Sequence, residues 1–161
     1  MHQVLLSLGA NLGDPRAMLE RAIAIIASEV LTDVRSSPLY STAPVGVEDQ
    51  PPFINAAVVG FTTASARAIH DACKHIEQQL GRQHRERWHE REIDIDVILV
   101  GATILDDDDV HIPHLRFHER RFVLQPACDL APAAICPRTG KTLAELLTVC
   151  PDVISNPTRI R

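Results

Sequence analysis

The sequence predicts an α+β fold: a ferredoxin-like antiparallel sheet with helices packed on it, in a single domain. Three observations predict it. Runs of strand character and stretches of helical period follow one another as β-α-β, β-α-β and then a helical tail. Some adjacent strand runs are expected to pair as hairpins, which favours an antiparallel sheet. The length, 161 residues, suits one domain, and no repeat, low-complexity segment or interdomain linker divides it.

Each element has a local reason. Val4 to Leu8 is an apolar run ending at Gly9 and reads as the first strand. Asp14-Pro15 follows; Asp caps a helix N-terminus and Pro is preorganised for the first helical position. Leu19, Ala22, Ile23, Ile26 and Val30 then fall on one helical face. Leu31 to Thr42 is β-rich. Ala43 to Pro52 holds three prolines, a glycine and two acids, and reads as a rigid loop. Phe53 to Thr62 reads as a strand. Ile69, Ala72, Cys73, Ile76 and Leu80 form a second helical stripe, closed by Gly81.

Gln83 to Arg91 is polar, basic and non-periodic, as expected of a long exposed loop. Ile93 to Val100 is the clearest strand. Ile93, Ile95, Val97 and Leu99 are expected on its core side. Asp106 to Asp109 reads as a solvated acidic turn. A short helix is expected near His118, with Pro126, Pro132 and Pro137 breaking the chain after it. Thr142-x-x-Glu145 is a capping box ahead of Leu143, Leu146, Leu147 and Cys150.

Composition excludes several classes of function. Sixteen basic against 21 acidic residues give a formal charge of −5, the wrong sign for a dedicated nucleic-acid binder. No window reaches 18 uninterrupted apolar residues, so no membrane helix is expected. The first residues lack the basic and apolar regions of a signal peptide. Cys73, Cys128, Cys136 and Cys150 make no C-x-x-C pair and no zinc spacing. They read as reduced thiols in a cytoplasmic protein.

Several catalytic motifs are absent. Gly140-Lys141-Thr142 resembles the end of a P-loop, but position 135 is Ile rather than Gly. His89-Glu90 and His118-Glu119 lack the second histidine of H-E-x-x-H. What remains is Arg82 to Asp96. Asp94 and Asp96 are two apart on a strand and project from one face, ~7 Å apart over two strand rises. Such a pair suits a hard cation such as Mg²⁺, which takes one or two carboxylates plus water and phosphate oxygens. Arg82, Arg85, Arg87 and Arg91 lie just upstream, and guanidinium forks bind phosphate oxygens. Phosphoryl transfer needs both features. Each one alone also reads as a solvated face, so a Mg-nucleotide site and a merely soluble loop both stay open at this point.

Weaker features surround this one. Trp88, the single tryptophan, sits in the polar loop, where it is either a partial plug or a lid over a flat ring. Asn55 is either an edge hydrogen bond or a reader of a heterocycle edge. His111, His114 and His118 lack the partners of a metal site.

Four collinear blocks resemble one family. They are Ser7-Leu-Gly-Ala-Asn-Leu-Gly-Asp14; Ser37-Pro-Leu-Tyr-Ser-Thr-Ala-Pro-Val-Gly46 with Asp49-Gln-Pro-Pro-Phe-Ile-Asn-Ala56; Ile76-Glu-Gln-Gln-Leu-Gly-Arg82 with Arg87-Trp88 and Arg91-Glu-Ile-Asp-Ile-Asp96; and Ile112-Pro-His-Leu-Arg-Phe-His-Glu-Arg-Arg-Phe-Val-Leu124. The chain resembles the 6-hydroxymethyl-7,8-dihydropterin pyrophosphokinases of folate biosynthesis. The resemblance implies a ferredoxin-like fold and transfer of pyrophosphate from ATP to a pterin hydroxymethyl group, releasing AMP.

The resemblance also implies a set of roles. Asp94 and Asp96 would hold two Mg²⁺ ions, and Arg82 and Arg91 would be catalytic, acting on the transferring group. ATP would meet Glu77, Arg82, Arg87, Arg91, Val97, His111, His114 and Arg120. The pterin would meet Thr42, Ala43, Pro44, Val45, Phe53, Asn55, Trp88 and Phe122. Partners would be small molecules alone, with no nucleic acid or membrane, and the chain a monomer. The sequence departs from the family at His89-Glu90, where Gly-Pro is usual, and at Glu92, where a small residue is common. These departures leave two alternatives: a diverged paralogue acting on another pterin alcohol, or a non-catalytic pterin- and nucleotide-binding module.

Overall fold

The computed structural model describes residues 1–43, 50–81 and 92–160. Its main sheet grows from β1 (His2–Ala10), which pairs antiparallel with β4 (Phe53–Thr62) on one side and β5 (Asp94–Val100) on the other. Helix α1 (Pro15–Glu29) connects β1 to β2 (Thr32–Ser36) and β3 (Leu39–Thr42), and both of these strands pair with β4. Helix α2 (Ala66–Gln79) follows β4 in the chain and packs on β5. With β2 and β3 taken as one interrupted strand, the chain order is β-α-β-β-α-β. The lateral order runs β5-β1-β4-β3. This is the ferredoxin-like sheet the sequence predicts.

The local signals account for most boundaries. Asp14 accepts the Ala17 N–H at 3.1 Å, with Pro15 at the first helical position. Gly81 stands at φ +86, a conformation costly for residues with a Cβ, just past the end of α2. The β-rich stretch is two strands because Pro38 cannot donate to a ladder. Ser37 bridges the break. Its N–H donates to Ala57 O, and its hydroxyl accepts the Ala57 N–H, both at 2.9 Å.

Alternation along β1 divides the interior in two. Val4, Leu6, Leu8 and Ala10 are buried under α1 and α2 with Ile26, Ile69 and Ile76. Leu5 faces the opposite way, with Ala57, Phe117, Leu124, Leu143 and Leu146. That second layer comes from a 3₁₀ turn (Phe117–Glu119), α3 (Arg121–Leu130) and α4 (Leu143–Thr148). Tyr40, 6 % exposed on β3, donates its hydroxyl to the Asp129 carboxylate of α3. Burial, then that carboxylate, pushes the phenol pKa up to about 12.

Five expectations are corrected. Leu99 joins the second layer because β5 carries a bulge: Leu5 pairs with Leu99 and Leu6 with Val97, so Ile98 is extra and the alternation changes phase. Pro126 lies inside α3 rather than ending it. Proline removes one N–H bond, and Val123, Leu124, Pro126 and Ala127 are all buried by the continued helix.

The acidic turn holds at the exposed Asp107, Asp108 and Asp109, but its first residue, Asp106, lies in a strand. β6 (Leu105–Asp106) pairs with β7 (His111–Ile112), and Arg138 binds the Asp106 carboxylate through two nitrogens, at 3.0 and 2.7 Å. The tail is not wholly helical, since β8 (Thr158–Ile160) adds to β3 at the sheet edge. Its three residues are too few to carry a periodic signal. The first strand also runs beyond Val4–Leu8 at both ends, because ladder pairing continues through the polar His2 and Gln3 at one end and through Gly9 and Ala10 at the other. The four cysteines are free, as expected.

Gly60 sits where β4 passes under Leu31. A Cβ there would stand 2.9 Å from Leu31 Cβ and 3.0 Å from the Thr32 carbonyl oxygen. Gly60→Ala is therefore expected to destabilise the fold by about 1–3 kcal/mol through overpacking. Urea unfolding of the two proteins measures it.

Candidate active site

The second face of the sheet is covered by helices over only part of its length, and the site forms on the rest. Odd-numbered residues of β1 pass from Leu5 under α3 and α4 to Ser7 and Gly9, which are small. Ser7 pairs with Ala57 and Asp96, and Gly9 with Asn55 and Asp94. Tyr40 pairs with Asn55, and Thr42 with Phe53. Strand alternation thus puts Asp94, Asp96, Asn55, Phe53 and Thr42 on one open face.

A narrow slot of about 100 Å³ lies on that face. Phe53 from the sheet and Phe122 from α3 both line it, together with Ala43, Ser155 and the two aspartates. Asn55 is 4 % exposed, and its Nδ2 donates to Thr42 Oγ1 at 2.8 Å, which orients the carboxamide. Its Oδ1 lies 3.0 Å from where a Cβ on Gly9 would stand. Gly9 therefore lets the carboxamide sit against the central strand. Arg120 reaches over the Phe122 ring, 6.0 Å from its centroid. Asn11, 1 % exposed, donates to Gln50 Oε1 and to the Pro51 carbonyl at 3.2 Å each, tying one end of the proline-rich loop to the end of β1.

A wider cleft of about 420 Å³ adjoins the slot. Its walls include Lys74 of α2, Val97 of β5, His111 of β7, His114 and Arg120. The two cavities share Asp96 and Arg120. One is small and lined by aromatic rings; the other is broad and lined by cations and imidazoles.

Electrostatics single out the junction. Asp96 has a carboxyl pKa well above the ordinary range, through burial first and the Asp94 charge second, with Lys74 and Arg120 opposing. Lys74 Nζ stands 4.0 Å from Asp96 Oδ1 and donates to Glu77 Oε1 at 3.0 Å and to the Ile95 carbonyl at 3.2 Å. Burial lowers the Lys74 pKa, but Glu77, Asp96 and Asp94 outweigh it and leave it raised. Two crowded carboxylates at the mouth of a cationic cleft fit a hard divalent cation completed by water and phosphate oxygens. Among the described residues no third His, Cys, Asp or Glu joins them in a ligand cluster.

The structure brings together Thr42, Ala43, Phe53, Asn55, Phe122, Asp94 and Asp96 at the slot, and Val97, His111, His114 and Arg120 at the cleft. Glu77 is the exception. It is 3 % exposed and stands behind β5, where its Oε1 accepts the Ile95 N–H at 3.1 Å. A strand at the sheet edge leaves such N–H groups without a ladder partner, and the carboxylate fills that role. Lys74, which lines the cleft in its place, was not singled out in the sequence, although it lies one helical turn before Glu77. Pro44, Val45, Arg82, Arg87, Trp88 and Arg91 lie outside the described residues, as do His89 and Glu90. Ser155 was also missed, because nothing local in the nine-residue coil between α4 and the final strand marks it.

The family model described as 7,8-dihydro-6-hydroxymethylpterin-pyrophosphokinase matches residues 5–132. The chain belongs to this family. It is 38 % identical over 154 residues to a 2-amino-4-hydroxy-6-hydroxymethyldihydropteridine pyrophosphokinase of Pseudomonas aeruginosa, covering 94 % of this chain and 93 % of that one. The family's Bacillus subtilis enzyme of the same name is 34 % identical over 78 % of this chain and 75 % of its own. The fold matches a Plasmodium falciparum HPPK-DHPS crystal structure with pteroate at a TM-score of 0.71 and 14 % identity. That match covers 91 % of this chain and 42 % of the other.

His114 offers a pH test of the cleft. Burial first, and the Arg120 charge second, hold its pKa down from 6.5 to about 4. The neutral ring accepts the Arg116 N–H at Nδ1, 3.1 Å away. The unfolded chain takes up this proton before the folded one does. Its contribution to stability is therefore complete above pH 6.5 and is lost as pH falls toward about 4. His114→Gln is expected to flatten that part of the profile, read from urea midpoints at neutral and acid pH.

Proposed function

We propose that this chain transfers pyrophosphate from ATP to the hydroxymethyl group of 6-hydroxymethyl-7,8-dihydropterin, as one domain spanning residues 1–161. The observation that carries the reading is the meeting of two unlike cavities at Asp96 and Arg120. A flat heteroaromatic ring suits a slot between Phe53 and Phe122, with Asn55 at its edge. A triphosphate suits a cleft bearing Lys74, His111, His114 and Arg120. Membership of the pyrophosphokinase family, and the names of the relatives, point to the same pair of substrates.

In this reading the pterin hydroxyl oxygen forms a bond to the β-phosphorus of ATP. The bond from that phosphorus to the α-phosphate bridging oxygen breaks, and AMP leaves. The nucleophile belongs to the substrate, so no protein serine or cysteine is needed. The chain supplies positioning and charge. Asp94 and Asp96 would hold Mg²⁺, which supplies Lewis-acid neutralisation of the phosphate oxygens when bound. Arg120 lines both cavities, so its guanidinium would meet the ATP phosphates where they approach the pterin hydroxymethyl group. Arg82, Arg87, Arg91 and Trp88 are assigned from the family resemblance, the first three to phosphates and Trp88 to the pterin. The same reading needs one chain per site and a reducing, cytoplasmic setting, which four unpaired cysteines suit. Among the described residues no helix is long and apolar enough to cross a membrane.

The test is chromatographic resolution of AMP from ADP after incubation with ATP, Mg²⁺ and the pterin. AMP formed only in the presence of pterin supports the reading; its absence from folded protein overturns it. Asp96→Asn should lower kcat by at least about 100-fold, the scale of losing a preorganised charge at the reacting group, while leaving the thermal midpoint near that of the parent. Retained turnover would remove the metal role.

A further inference from the structure

The slot has a wall that the family match does not include. The family model ends at residue 132, yet Ser155 lines the slot and is 5 % exposed. It is held there by Asp152. One carboxylate oxygen of Asp152 accepts the N–H groups of Ile154 and Ser155, both at 3.0 Å. The other accepts the Ser155 hydroxyl and, at 3.0 Å, the N–H of Arg121. Arg121 returns the contact, its Nε donating to the Asp152 carbonyl at 3.2 Å.

Arg121 is the first residue of α3, and no side chain of the preceding residue caps that helix. Helix starts leave N–H groups without intrahelical partners, and a carboxylate is the strongest acceptor for them. Here it comes from a segment 31 positions further along the chain. The residues on either side of Arg121 are Arg120 and Phe122, which line the slot. Asp152 therefore fixes the backbone between the guanidinium at the cavity junction and the Phe122 ring that lines the slot with Phe53.

We propose that the C-terminal segment around Asp152 and Ser155 is a positioning and specificity element of the slot, with Asp152 setting the placement of Phe122 and Arg120 and Ser155 limiting the size of the ring system admitted. The identity of the ring as a pterin rests on the function proposed above; the clamp itself does not. Neither residue is catalytic, since both act through α3 and the slot wall.

The test uses the full chain carrying Asp152→Asn, which keeps size and shape but cannot accept at both oxygens. A second variant, Ser155→Val, leaves Asp152 in place and fills the wall. Hydrogen exchange at the Arg121 and Phe122 amides reads the clamp with no ligand present. In Asp152→Asn it should accelerate at least tenfold relative to amides of α1. Steady-state kinetics read the slot. The KM for the pterin should rise about tenfold in Asp152→Asn and at least threefold in Ser155→Val. The KM for ATP should stay within twofold in Ser155→Val and rise less than that for the pterin in Asp152→Asn, because Lys74, His111 and His114 do not depend on α3 while Arg120 does.

Unchanged exchange at Arg121 overturns the clamp. A lower thermal midpoint with both KM values unchanged overturns the positioning role, since a merely structural segment would behave so. If the parent chain makes no AMP, the function reading fails separately. Faster exchange at Arg121 and weaker pterin quenching of Trp88 fluorescence would still support the clamp in that case.

Discussion

The site depends on the alternation of side chains along β1. Because this strand lies between β4 and β5, its even residues from Val4 to Ala10 are apolar and pack against α1 and α2, and its odd residues face the other way in one row. That second row runs from Leu5, roofed by α3 and α4, to Ser7 and Gly9, over which the slot opens. The neighbours of Ser7 and Gly9 in the sheet are Ala57, Asp96, Asn55 and Asp94. A one-residue slip in register would turn both aspartates toward the helices, into an apolar layer where an unpaired charge is costly. The apolar core on one face thus enforces the chemistry on the other.

Two devices protect that register at the sheet edge. The bulge at Ile98 changes the phase of β5 after its acidic half. Val97 and Val100 thereby share one layer, and Ile98 and Leu99 the other. Glu77 and Lys74 then occupy the outward backbone groups of Ile95, the residue between the aspartates. The lysine meets the strand and also faces Asp96, so the contact that holds the edge also supplies positive charge to the cleft. Strand geometry and site charge are coupled there through one ammonium group.

Much of the fold was legible because its signals are local. Asp14-Pro15, Gly81 and the Thr142 capping box act within one helical turn, and each marks a boundary in the structure. The Asp94-x-Asp96 spacing implies a shared face from backbone pleating alone. Errors arose where tertiary terms outweigh local ones. Pro126 is tolerated because burial of its neighbours exceeds the cost of one lost bond. Leu99 turns because a bulge is a property of two strands, not of one.

The sequence by itself determined the succession of strands and helices along the chain, the ferredoxin-like class, the carboxylate pair and the family to which the chain belongs. Periodicity, capping and motif spacing are all read along the chain, and these features need nothing more. The tertiary structure alone decided that Glu77 backs the strand while Lys74 lines the cleft, and that two unlike cavities meet at Asp96 and Arg120. It also decided that Ser155 walls the slot and that Asp152 caps a helix beginning 31 positions earlier. Contacts between distant segments depend on how separate elements pack, and no local pattern of residues encodes them.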